Sequence, residues 1–221
     1  VEYETLLFGH GRFYAGPNTP MQGKVLPQQE QHDPVEAMAS RLQLLVDGMD
    51  AQVLQADVDL VKSLRGKPIP EGSTLGAEYI KAMYEDAAAK QRPMPKLDPD
   101  VLGMWGGEIF IFPNVMILPQ GGNAMIYRVR PNGNDPDSST FEIFSTRSLP
   151  AAAERERATL TPVDDVSDPE QVLQIPRQDL GNLKRIQKGL HSNSIRQIWL
   201  ASHHEKIILG MHRELDRYLQ D

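Results

Sequence analysis

A carboxylate and an amide stand at the head of an apolar helical stripe near the C-terminus. Asp179 and Asn182 are three residues apart in a helix predicted over residues 178–190, so they share one of its faces. The same face carries three apolar side chains, Leu183, Ile186 and Leu190. Burying a charged carboxylate is costly unless it is paired or coordinates a metal. Two interpretations remain open: Asp179 caps the helix N-terminus, or it is a buried functional carboxylate.

Three histidines near the C-terminus have a spacing that disfavours a shared metal site. His204 and His212 are eight residues apart, which places them about 12 Å apart along a helix axis and too far for one ion. His203 and His204 fall in the first turn of a predicted helix, where partly exposed polar residues are ordinary. Because a site needs converging side chains, we interpret these histidines as structural.

Other familiar catalytic patterns are missing from the sequence. It has no Gly-x-x-x-x-Gly-Lys-Ser/Thr phosphate loop, no Gly-x-Ser-x-Gly nucleophile elbow and no His-Glu-x-x-His zinc motif. It also has no Cys. These residues therefore hold no disulfide, thiolate zinc site, cysteine nucleophile or cysteine-bound iron–sulfur cluster.

The charge and the length of the chain exclude further classes. A net charge of −7 disfavours nucleic acid or an anionic membrane as a partner, because phosphate binding needs a basic face. No apolar run reaches the roughly 18 residues needed to cross a bilayer, and no signal peptide is visible. We predict a cytoplasmic protein whose 221 residues suffice for a buried core.

The first part of the chain is predicted to be extended and then helical. Residues 1–15 alternate in the manner of a half-buried strand. Asp33 and Pro34 form a helix start, with a capping side chain followed by a proline at the first helical position. Further helices are predicted over residues 51–65 and 74–91, because apolar residues recur there at helical spacing.

From about residue 103 the pattern changes to that of a sheet. Short β-rich runs alternate with glycine-rich turn signals, which predicts an antiparallel meander. Helices return at residues 178–190 and after a capping box predicted from Ser202 to Glu205. Helices, then a sheet, then helices indicate an α+β fold with helices on one face of the sheet.

Three motifs follow one another in the second half of the chain. They are Phe110-Ile111-Phe112-Pro113-Asn114-Val115-Met116-Ile117, then Tyr127-Arg128-Val129-Arg130-Pro131, then Gln178-Asp179-Leu180-Gly181-Asn182-Leu183 leading to Gln187-Lys188-Gly189-Leu190-His191-Ser192. In this order they resemble the C-terminal catalytic region of the large (α) subunits of Rieske non-heme iron aromatic-ring-hydroxylating oxygenases. The closing residues 212–219 are similar to the usual C-terminus of that family.

The resemblance implies a helix-grip (START-like) fold, in which an antiparallel sheet wraps around a long C-terminal helix and encloses a deep cavity. On this interpretation residues 1–221 form part of a catalytic domain. Residues 33–100 are a helical insertion, and residues 103–221 are the sheet and the C-terminal helices. The Rieske domain of the family has no counterpart in these residues.

The resemblance also implies a mononuclear Fe(II) held by two His and one carboxylate. In the family the carboxylate is an Asp three residues before an Asn, so the likeness makes Asp179 the iron ligand and Asn182 its neighbour. Three strand aromatics could line the substrate pocket, although strand Phe is also common in plain cores. They are Phe110, Phe112 and Phe144.

The sequence departs from the family at the two iron histidines. The family's segment that carries them has no match, and neither His10 nor His32 belongs to a similar pair. We therefore expect both His ligands to lie outside this chain, upstream of a start that falls within a strand. With one carboxylate and no Rieske cluster, we predict that these residues alone do not turn over.

The resemblance implies partners for the intact protein. It would hydroxylate an aromatic substrate with O₂, as in aromatic hydrocarbon catabolism. Electrons would come from a reductase, often by way of a ferredoxin, through a Rieske [2Fe–2S] centre. Subunits of the family assemble as homotrimers or α3β3 complexes.

The alternative to an oxygenase is a non-catalytic helix-grip module that binds a hydrophobic ligand. The test between these two functions is whether two histidines converge on Asp179.

Overall fold

The computed structural model describes residues 33–95, 108–194, 197–203 and 205–220, together with the backbone of residues 2–5 and 11–14. Strands β1 and β2 precede three helices, a block of four strands and three further helices. In chain order the elements are β1 Glu2–Thr5, β2 Gly11–Tyr14, α1 Pro34–Met49, α2 Gln55–Lys62, α3 Leu75–Ala89, β3 Ile109–Ile111, β4 Val115–Gln120, β5 Asn123–Asn132, β6 Asp135–Thr146, α4 Gln174–Gly181, α5 Leu183–Leu190 and α6 Lys206–Leu219.

The six strands form one antiparallel sheet in the order β1-β2-β3-β4-β5-β6. Each strand pairs with its neighbour in sequence, which is the predicted meander. Gln120 pairs with Asn123 across a two-residue turn, and Gly121 adopts a φ of 56° there. This left-handed backbone conformation favours glycine. The α+β class predicted from the order of elements is confirmed.

Helices α1, α2 and α3 bury most of the apolar core. The Asp33 carboxylate accepts a hydrogen bond from the Val35 amide at 3.0 Å and caps α1, with Pro34 at the first helical position as predicted. The Thr74 hydroxyl caps α3 in the same way. The cluster between the helices consists of Val35, Ala39, Leu42, Val53, Val58, Val61, Leu64, Tyr79 and Met83.

A smaller apolar cluster joins the end of α1 to the sheet. Ala51, Leu118 and Met125 are buried there, and Met116 and Tyr127 pack against them. Helix α4 lies against α1, where Gly48 allows a close approach. A Cβ added to Gly48 would lie 2.7 Å from Cδ1 of Ile175. The chain thereby brings α4 next to the strands β4 and β5.

The structure corrects two predicted helix boundaries. The helix predicted over 178–190 is two helices, α4 and α5, which meet at Asn182. Helix α6 begins at Lys206 and has no side-chain cap. The Glu205 carboxylate accepts a hydrogen bond from the Ala201 amide at 2.6 Å, so the predicted capping box at Ser202 does not open the helix.

Some predictions fall outside the described residues. These concern the strand pattern of residues 6–10, the change of character near residue 103, and His10, His32 and His204. None of the helices in the described ranges combines the length and apolar character needed to cross a membrane.

Candidate functional site

A cavity of about 950 Å³ lies between the sheet and helices α1, α4 and α6. This volume is that of a small-molecule site. The strands contribute Glu108, Phe110, Met116, Leu118, Tyr127, Val129 and Phe141, and the helices contribute Met49, Ile175, Asp179 and Met211. The wall is therefore largely apolar and carries a few ionisable groups.

Asp179 lines this cavity from the last turn of α4. It is therefore not a helix N-cap, and the capping interpretation of its spacing is wrong. Asn182 is the residue that precedes the first turn of α5. Asp179 is largely exposed. Within the described part of the chain, no hydrogen bond or ion pair engages its carboxyl group, and partial burial raises the pKa of Asp179.

A second carboxyl group, that of Glu108, faces the same cavity. Glu108 directly precedes β3 and is partly buried. Burial raises the pKa of Glu108, and the nearby charge of Asp179 raises it further. Sequence reasoning missed this residue. Strand alternation could have found it, because Glu108 lies two positions before Phe110 and so shares its face.

Tyr127 on β5 contributes a phenol group to the cavity wall. Burial raises the pKa of Tyr127 to about 12, and the charges of Asp179 and then Glu108 contribute to the shift. The phenol therefore stays protonated at neutral pH and keeps an O–H that can donate. The Tyr127 ring also contacts Phe141 on β6, with ring centroids 5.2 Å apart.

The three phenylalanines proposed for the pocket occupy different places. Phe110 lines the cavity. Phe112 lies beyond the end of β3, and its ring stacks on Tyr218 of α6 with centroids 5.8 Å apart. Phe144 is 39% exposed beneath the Arg128 guanidinium, on the face of β6 opposite to Phe141. Among the described residues, Phe141 joins Phe110 in the wall, whereas Phe112 and Phe144 do not.

Asn182 occupies the junction between α4 and α5. Its backbone carbonyl accepts hydrogen bonds from the amides of Arg185 and Ile186, both at 3.0 Å, and so begins α5. The side chain is exposed. The spacing that suggested one continuous helical face is thus interrupted immediately after Asp179.

The described histidines lie away from the cavity wall. His191 is within 2.6 Å of the Asp137 carboxylate on the β5–β6 hairpin, and His212 is exposed on α6. No group of three or more His, Cys, Asp or Glu side chains in the described ranges is arranged to hold a metal ion. The carboxylate of Asp179 is nevertheless a hard oxygen donor that no described side chain engages, which suits one ligand position of Fe(II).

A largely apolar cavity of ligand size between a sheet and helices, with carboxyl groups in its wall, has the form of a site for a small and mostly apolar molecule. A family model described as ring hydroxylating alpha subunit (catalytic domain) matches residues 62–221. Because the match covers more than half of the chain, the protein belongs to this family of ring-hydroxylating oxygenases. The resemblance carried by the sequence motifs is confirmed. No curated protein and no solved structure matches the chain.

Proposed function

We propose that this chain forms the substrate-binding part of the catalytic domain of a Rieske-type ring-hydroxylating oxygenase. The reaction is the O₂-dependent hydroxylation of an aromatic substrate. Family membership supports the class of reaction. The observation that carries the proposal is the carboxyl group of Asp179, which lines a largely apolar cavity and has no hydrogen-bond or ion-pair partner in the described part of the chain.

Asp179 is the proposed carboxylate ligand of a mononuclear Fe(II), with Asn182 as its neighbour in sequence. Two His ligands complete the proposed set and are not supplied by the described residues. The metal would supply O₂ activation, with electrons passed from a Rieske [2Fe–2S] centre.

The apolar side chains of the cavity wall bind and orient the aromatic ring of the substrate in this proposal. Phe110 and Phe141 offer aromatic surfaces, and aromatic pairs favour offset or edge-to-face contacts. Met116 and Met211 can adapt to the outline of a planar substrate. We propose Phe110 as a pocket residue. Phe112 and Phe144 do not line the cavity and have no role in this proposal.

We further propose the helix-grip arrangement for this domain. The packing of α6 against β1 and β2 supports it, as do the stacking of Tyr218 on Phe112 and the position of Met211 in the cavity wall. The proposed assembly is a homotrimer or an α3β3 complex in the cytoplasm, served by a ferredoxin or reductase. In the family such oxygenases generally work with electron donors and in multimers.

Measurement of bound iron tests the ligand. Fe(II) is quantified in the intact oxygenase after anaerobic purification of the wild type, Asp179→Asn and the control Asp164→Asn. Asp164 is an exposed aspartate outside the cavity. We expect Asp179→Asn to lose more than about 90% of the iron, because the neutral amide is a weaker ligand than the carboxylate, while the control keeps wild-type iron. Equal iron in all three proteins would reject Asp179 as a ligand.

The 221-residue chain by itself provides a second test. We expect neither stoichiometric iron nor hydroxylation from it, because one carboxylate binds Fe(II) weakly. Stoichiometric iron together with product formation by this chain alone would contradict the proposal that the remaining ligands and the electron donor come from elsewhere.

The second candidate function is a non-catalytic module that binds a hydrophobic ligand. The predominance of apolar side chains in the wall favours it. It predicts that aromatic ligands bind equally well to wild type and to Asp179→Asn, and that no iron is found in the intact protein. Iron in the wild type that is lost in Asp179→Asn would exclude this candidate.

A further inference from the structure

The carboxyl group of Glu108 is the feature of the cavity that the proposed iron site does not use. Glu108 lies on the strand side of the cavity, whereas Asp179 lies on the helix side. Phe110 follows Glu108 on the same wall, and Tyr127 lies on β5 in the same cavity. The carboxyl group thus lies beside aromatic side chains, in a wall that also carries the polar residues Asn114, Arg130 and Ser139.

None of the described residues satisfies this carboxyl group. Within the described residues, Glu108 has no hydrogen bond and no ion pair. Arg130 also lines the cavity, but the Nε and Nη2 of its guanidinium both donate to Glu142 at 2.9 Å. A partly buried carboxyl group without a partner costs stability unless a ligand supplies one.

A carboxyl group offers an acceptor oxygen in both of its protonation states. A ligand that brings an O–H or N–H to this point gains a hydrogen bond. A plain hydrocarbon of the same shape leaves the acceptor desolvated and unpaired. A site with a buried polar group discriminates strongly against an analogue that lacks the matching group.

We propose that Glu108 determines substrate choice by accepting a hydrogen bond from an O–H or N–H group on an otherwise apolar aromatic ring. The substrate class is then hydroxy-aromatic, amino-aromatic or N–H heteroaromatic compounds rather than plain aromatic hydrocarbons. This inference rests on the proposed function, since it assigns the substrate class of the same cavity. Glu108 contacts the ring substituent and holds the ring at a fixed orientation to Asp179.

Binding of matched ligands to the intact oxygenase, held without O₂ so that no turnover occurs, tests the proposal. Indole carries an N–H, and benzofuran has the same bicyclic outline with an oxygen in its place. Naphthalene reports on the apolar wall alone. We expect isothermal titration calorimetry to give a dissociation constant for indole at least about tenfold lower than for benzofuran in the wild type.

Variants of Glu108 separate the hydrogen bond from packing. Glu108→Met keeps an unbranched side chain of similar length without an acceptor oxygen, and we expect indole and benzofuran to bind it within about twofold of each other. Glu108→Gln retains an acceptor oxygen and should retain the preference for indole. Glu156→Met makes the same change as the first variant at an exposed position outside the cavity and should behave as wild type.

The outcomes distinguish this proposal from the one on which it rests. Equal binding of indole and benzofuran by the wild type would overturn the role of Glu108 and leave aromatic binding intact. A preference that survives in Glu108→Met, or in Glu108→Ala if the first variant does not fold, would overturn it as well. If none of the three ligands binds, the aromatic-binding function fails and the assignment of Glu108 fails with it.

Discussion

The carboxyl groups of the helical region α1–α3 and those of the cavity wall differ in their partners and in the direction of their pKa shifts. In the helices, Asp86 contacts Lys90 at 2.7 Å and Arg92 at 2.6 Å, and the Lys90 hydrogen bond lowers the pKa of Asp86 most. In the cavity wall, Asp179 and Glu108 have no such partner among the described residues, and burial raises the pKa of both. The carboxylate of the first region stabilises the fold through its ion pairs, whereas the two in the cavity wall have acceptor oxygens that no described side chain occupies.

Asp57 shows that burial by itself does not mark a functional carboxylate. Burial raises the pKa of Asp57, as it does for the two cavity residues. Its carboxylate, however, accepts a hydrogen bond from the Leu54 amide at 2.8 Å and caps α2. A partly buried carboxyl group with a backbone partner stabilises a helix start. One that faces a cavity without a partner is available to a ligand.

Truncation of the helical core should have the largest effect on stability. Leu42→Ala removes a buried side chain of the α1–α3 cluster, which should lower the free energy of unfolding by about 2–5 kcal/mol. Met211→Ala removes a side chain that already borders the cavity, so the loss should be below about 1 kcal/mol. Urea denaturation measures both values. Similar losses would remove the distinction between the two regions.

The junction between the two regions is sensitive to added volume at Gly48. In Gly48→Ala the new methyl would collide with the Ile175 side chain, so that side chain or α4 must shift, at a cost of about 1–3 kcal/mol. The control Gly189→Ala in α5 meets no atom within 4 Å and should stabilise by about 0.5–1 kcal/mol. Denaturant titration compares the two. Ile175 lines the cavity, so Gly48→Ala should also weaken naphthalene binding. An unchanged unfolding free energy would show that α4 packs loosely.

Asp57 should make stability fall as the pH rises. Its pKa in the folded protein lies above the ordinary value of 3.8, so the native state holds the proton more tightly than the unfolded state. The stabilising contribution is present below the unfolded pKa and is lost as the pH rises through the folded pKa. Asp57→Asn should flatten this part of the pH profile of unfolding. A profile with the wild-type slope would mean that Asp57 is not responsible.

Glu142 should act in the opposite direction and with the smallest effect. Its hydrogen bonds from Arg128, and then from Arg130, lower the pKa of Glu142 to about 2. The stabilising contribution is present above the ordinary pKa of 4.5 and is lost as the pH falls through about 2. Glu142→Gln should remove this acid sensitivity, and added salt should weaken it in the wild type. Acid titration followed by circular dichroism measures both.

The sequence predicted the capped start of α1 correctly, but not the boundaries of the later helices α4, α5 and α6. Asp33 and Pro34 start α1 as expected, because capping depends on neighbours in the chain. The break at Asn182 was missed, since the apolar spacing continues from α4 into α5. The capping box at Ser202 failed for a similar reason, because Glu205 binds the Ala201 amide instead.

Only one of the two cavity carboxyl groups, that of Asp179, could be predicted from the sequence. Asp179 was found because it lies in a family motif at a fixed distance from Asn182. Glu108 was missed because one acidic residue next to a strand looks like an ordinary solvent-facing side chain. The role of Glu108 becomes apparent only from its position in one cavity with Tyr127 and Asp179, which lie 19 and 71 positions further along the chain.

The sequence by itself determined the order of elements, the class of fold and the family, because these depend on periodicity, turn signals and short motifs. Only the tertiary structure decided that Asp179 lies at a helix end and that it faces Glu108 and Tyr127 across one cavity. The physical reason is that these groups come from a strand start, a middle strand and a late helix. They meet only when the sheet is paired and α4 has packed against α1.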